Sequence, residues 1–191
     1  MTVLVEKREI DSVVVHGSLA GLAAGLVLGA ATVVGSVVLS GSGWLPFRFA
    51  AAFLVGPEAL ETTFPLGAAL LLGVAIHFSL AVLFGVAFVG LLALIYQLSA
   101  RTWLLIAYGA AFGFAIWEVN FLAAIPTFFP YLVDQLDLAT QVWIGVVAYM
   151  LIYGPALGGY VAIVRPGVVG DWHAASAPAG TFAPPPSAER D

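Results

Sequence analysis

Two ionisable side chains interrupt apolar runs where a charge is hardest to accommodate. His77 stands inside LGAALLLGVAIHFSLAVLFGVAFVGLLALIYQ (Leu66 to Gln97), which holds no formally charged residue. Glu118 is the one carboxylate well inside a second run, WLLIAYGAAFGFAIWEVNFLAAI, two positions before Asn120. About 20 apolar residues cross a hydrocarbon core roughly 30 Å thick, so each run is long enough to span and tilt. An ionisable group at that depth must be neutralised, paired or set on a cavity, which makes each a candidate for function.

Depth arithmetic brings these groups together. His77 lies about 11 residues from the outer end of its run, roughly 16 Å at the helical rise. Glu118 lies about nine residues from the same side, roughly 13 Å. Tyr149 and Met150 fall about 10 residues into a later run, and Asn120 sits a turn nearer the outside. His77, Glu118 and Asn120 therefore form a candidate intramembrane polar site. Three chemistries suit it: a His–Glu hydrogen bond that fixes helix register, a proton or ion relay, or a haem b or metal site with His77 and Met150 as ligands. Catalysis has little to build on. The chain has no cysteine, which removes thiolate chemistry, and no G-x-S-x-G, H-E-x-x-H or phosphate-loop pattern is present.

The elements that must position these groups follow from composition. Of 191 residues, 62% are hydrophobic and only 9% charged, and the mean hydropathy is +1.06. A soluble domain carries about 25% charged residues, so the balance points to a polytopic membrane protein. Without a basic stripe, nucleic acid is excluded as a partner. The expected fold is all-α, a bundle of four transmembrane helices over about 13–39, 66–97, 103–126 and 139–164. A short interfacial helix is expected over 45–55, flanked by a cytoplasmic segment 1–12 and a disordered Pro/Ala-rich tail 166–191. Gly154-Pro155 should kink the last span. Gly17, Gly21, Gly25 and Gly29 recur every fourth residue and let another backbone approach one face of the first helix. Internal packing and self-association both fit, with internal packing favoured. Lys7, Arg8, Arg101, Arg165 and Arg190 collect on one side and Arg48 on the other, which puts both termini in the cytoplasm of an inner (plasma) membrane.

The two hairpins echo one another. HGSLAGLAAG in the first span is similar to AYGAAFGFAIW in the third, and IHFSLAVLFG in the second to YMLIYGPALGG in the fourth. Aligning His77 to Gly85 with Met150 to Gly158 keeps a separation of eight residues in both. Two hairpins in one orientation would be parallel repeats about an axis along the membrane normal.

Five short patterns carry a resemblance: the glycine-rich first span, Trp44-Leu45-Pro46, Ile76-His77-Phe78, the W-x-V-N-F of Trp117 to Phe121, and the Y-G-x-x-x-G of Tyr153 to Gly158. Together the pattern resembles a group of small bacterial integral membrane proteins with four spans. The resemblance implies the four-span fold and a site near His77, and brings no activity with it. That group often has histidine where this chain has Met150, which speaks against a two-histidine function. The leading expectation is a non-enzymatic subunit or assembly partner of a larger bacterial membrane complex, with the lipid bilayer and other membrane subunits, or a second copy, as partners. The alternatives are a small proton- or ion-coupled transporter or channel using Glu118 and His77, and a haem- or quinone-binding electron-transfer protein. A partner subunit predicts a sealed interior and an unbroken apolar belt. A transporter or channel predicts a water-filled cavity at the Glu118–His77 layer and a dimer, and a haem- or quinone-binding protein a cleft at His77 wide enough for a planar ring.

Overall fold

The computed structural model describes residues 2–95 and 101–169, excepting the side chains of 2–9, 135, 138 and 168. Most of the connection between the second and third spans and the tail beyond residue 169 lie outside the described residues. Four helices are long and apolar enough to cross a membrane. They are α1 (Thr2–Ser40, with its apolar span at Ile10–Ser40), α3 (Leu66–Leu94), α4 (Thr102–Phe128) and α5 (Ala139–Val164). Helix α2 (Leu45–Val55) joins α1 to α3 through a 3₁₀ turn at Pro57–Leu60. The protein is an all-α four-helix bundle, and no strand occurs among the described residues.

The apolar surface fits a bilayer. Leu71, Leu94 and Ile163 are 73%, 85% and 83% exposed, while no polar or charged residue is buried among the described ones. In water such a surface would be a large association patch; against lipid it is the belt of a multi-pass protein.

Inside, glycine sets the helix spacing. A Cβ on Gly21 would collide with the Ala81 carbonyl, and one on Gly17 would lie 2.5 Å from the Val86 Cα. Gly25 and Gly29 continue the same contact toward Ala81 and His77. The first-span glycine row therefore packs within the chain, on α3. The second hairpin repeats the arrangement: Gly109 and Gly113 lie against Gly154, Gly158 and the Tyr149 carbonyl. The pairs Gly17–Gly85 and Gly21–Ala81 correspond to Gly109–Gly158 and Gly113–Gly154 under the sequence alignment of the hairpins, so the echo extends to the contacts. The hairpins meet at mid-height, where the buried Tyr153 hydroxyl donates to the Ala81 carbonyl at 3.2 Å.

Three boundaries differ from expectation. Helix α1 begins at Thr2, so residues 2–12 extend the first helix rather than forming a separate segment. Helix α4 passes through Pro126 to Phe128. Beyond α5, Gly167–Val169 forms a 3₁₀ turn whose buried Val169 joins the core, so the tail starts packed.

Both membrane prolines follow a π-helical stretch, Glu118–Ala124 before Pro126 and Trp143–Tyr153 before Pro155. A proline ring presses on the carbonyl four residues back, here Leu122 and Leu151, both inside those stretches. Widening the turns to i→i+5 bonding relieves the clash without ending the helix, and such widened turns gather at functional sites.

Candidate functional site

Both π-helical stretches contribute to a partly open cavity of about 450 Å³ lined by both hairpins and α2. Its first wall, from α1 and α3, sets polar groups among apolar ones such as Leu28, Ile76 and Leu80. Thr32, Ser36 and Ser40 follow one another every fourth residue on α1, and His77 and Ser79 add to them from α3. The rest of the lining comes from Phe49 and Phe53 of α2, Phe121 and Phe129 of α4, and Trp143 and Tyr149 of α5, with the Trp143 ring lying against Gly35 of α1. Asn120 and Thr140 place two further polar groups among the rings.

Three hydroxyls of the first wall are already donors. Thr32 donates to the Gly29 carbonyl at 3.0 Å, Ser36 to Ser42 at 2.6 Å and Ser40 to Ser36 at 2.7 Å. Each keeps oxygen lone pairs with which to accept. His77 Nε2 lies 2.7 Å from the Gly25 carbonyl. A carbonyl only accepts, so Nε2 carries the proton and a neutral ring keeps Nδ1 as an acceptor. Gly29 makes room for this ring, since a Cβ there would sit 3.3 Å from Nε2. The α1–α3 wall thus accepts hydrogen bonds, and the Asn120 amide and Tyr149 hydroxyl supply donors from α4 and α5.

The aromatic wall is continuous. Tyr131, Phe129, Phe53, Phe49, Phe121, Tyr149 and Tyr153 form a chain of rings whose successive centroids lie 4.8 to 6.4 Å apart. Helix α2 is fixed over the cavity. Arg48 donates to the carbonyls of Ala59 at 3.1 Å, Phe64 at 3.2 Å and Glu61. The Tyr131 hydroxyl donates to the Ala52 carbonyl at 2.7 Å, and Gly73 admits the Phe47 backbone.

The candidates read from sequence separate here. His77 and Asn120 share the cavity; Glu118 does not. Ile116 is buried in the bundle, and Asn120, four residues on, returns to that face. Glu118, two residues on, points the other way and is exposed, with no hydrogen bond or ion pair to any described residue. A His77–Glu118 pair is therefore not formed, nor does a relay join them directly. Met150 is half-buried but does not line the cavity, and Nε2 of His77 is committed to Gly25, so no axial His–Met pair is assembled for haem. No group of three His, Cys, Asp or Glu among the described residues could hold a metal. The hydroxyl row of Thr32, Ser36 and Ser40 escaped the sequence reading, although its four-residue spacing on a span was a usable signal.

Comparison with protein-family models, with curated proteins and with solved structures finds no match for this chain.

Proposed function

We propose that the protein is a non-enzymatic component of a bacterial inner (plasma) membrane that holds a neutral, lipid-soluble ligand in the cavity between its hairpins. The positive-inside distribution of Lys and Arg supports cytoplasmic termini, which sets α2 and the cavity toward the outer leaflet. The observation that carries the reading is the cavity itself. Its volume of about 450 Å³ falls in the range of small-molecule sites, roughly 300–1,000 Å³, and aromatic walls with a few fixed polar groups are their usual lining.

The lining also selects the ligand. None of the described residues that line the cavity is formally charged, so a charged head would be desolvated without compensation. A hydroxyl both donates and accepts, matching an acceptor wall and the donors of Asn120 and Tyr149. A prenyl alcohol or the hydroquinone form of a membrane quinone has this chemistry: an apolar body for the rings and a hydroxyl head.

Equilibrium binding to the full-length protein in lipid nanodiscs tests the reading, with geranylgeraniol as probe and its methyl ether as control. Saturable binding of the alcohol, several-fold tighter than the ether and weakened by Asn120→Leu, is expected. Absence of saturable binding, or binding indifferent to both changes, would overturn it.

A further inference from the structure

Glu118 raises a question the cavity does not answer. It lies 10 residues before the end of α4 at Phe128 and 16 after its start at Thr102, about 15 and 24 Å along the axis, well inside a hydrocarbon core roughly 30 Å thick. The inward face of α4 is occupied, since Leu105, Gly109, Gly113 and Ile116 are buried. Ala111 and Ala115, seven and three residues before Glu118, share its exposed side. The carboxyl thus sits on lipid-facing surface next to small side chains, where another helix backbone can come close.

We infer that this face of α4 docks a transmembrane helix of a second protein that carries a lysine or arginine at matching depth. The charge balance of the chain supports that occupant over a second copy. All six Lys and Arg residues, at 7, 8, 48, 101, 165 and 190, fall outside the four spans. A second copy docked symmetrically on this face would set carboxyl against carboxyl, a pair that can share a proton but brings no charge of opposite sign. Lipid offers no compensating hydrogen bond or charge at that depth, whereas an ammonium or guanidinium satisfies both needs in one contact. This inference does not depend on the cavity having a ligand.

The test uses the full-length protein in phosphatidylcholine vesicles with two synthetic Leu/Ala transmembrane peptides, one holding a single central lysine and one wholly apolar. Energy transfer between labelled protein and peptide reports association. The lysine peptide should associate roughly tenfold more tightly than the apolar one, and Glu118→Gln should erase that difference. Because Glu118 is exposed, the variant should keep the melting temperature of the parent, and Glu118→Asp should restore part of the preference. Equal association of the two peptides, or a lysine preference that survives Glu118→Gln, would overturn the inference. So would a dimer of the protein alone that Glu118→Gln dissociates, since the occupant would then be a second copy.

Discussion

His77 donates from Nε2 to the Gly25 carbonyl across the α1–α3 contact, 52 residues apart in sequence and 2.7 Å apart in space. The bond fixes which nitrogen bears the proton and so decides what His77 offers the cavity. His77→Phe keeps an aromatic ring beside Gly29 and removes the donor. Unfolding in mixed detergent should show a loss of about 0.5–1.5 kcal/mol, and affinity for a hydroxylated probe should fall. Because Nε2 is engaged, a reduced-minus-oxidised absorption spectrum should contain no band that depends on His77. A Soret band lost in the variant would contradict this geometry.

The donor wall should separate binding from stability. Tyr149 makes ring contacts with Phe121 and Tyr153, at centroid distances of 6.2 and 5.8 Å, and these survive Tyr149→Phe. Affinity for a prenyl alcohol should drop several-fold while thermal stability holds to within about 1 kcal/mol. Equal affinities before and after the substitution would remove Tyr149 from the site.

The two glycine seams should be equally intolerant of bulk. A Cβ on Gly109 would collide with the Gly154 carbonyl, and one on Gly21 with that of Ala81. Either alanine substitution should destabilise by about 1–3 kcal/mol. Gly159→Ala meets nothing within 4 Å and should be neutral or stabilising by about 0.5–1 kcal/mol. Denaturant titration of the three variants side by side reads the contrast directly.

Arg48 holds the α2–α3 connection through carbonyls alone, and its planar fork reaches three of them. Arg48→Ala should cost about 1.5–3 kcal/mol, and Arg48→Lys should recover only part, since an ammonium cannot match the fork. Limited proteolysis between residues 56 and 65 should speed up in both.

Asp137 caps the start of α5 by accepting the Thr140 backbone N–H at 2.7 Å. That bond holds its carboxyl below the ordinary 3.8. A carboxylate whose folded value is depressed stabilises above its unfolded pKa and loses that contribution as pH falls through the folded one. Melting temperature should therefore decline on the acid side of pH 4, and Asp137→Asn should flatten that part of the profile.

Much of the fold was legible in the chain because it is written in local chemistry. Hydropathy and length gave four spans, the Trp44-Leu45-Pro46 stretch and its apolar continuation gave a short helix, and glycine every fourth residue gave a close helix contact. The expected nearness of His77 and Asn120 is matched by their lining one cavity. Rotation about the helix axis was not legible. Which way Glu118 points depends on Ile116 and the glycines of α4 meeting α5, a contact between residues far apart in sequence. The cavity likewise is lined by residues of α1 to α5 that lie far apart in sequence, some of them in the two π-helical stretches. Local sequence set the elements; long-range packing decided that His77 and Asn120 look inward and Glu118 outward.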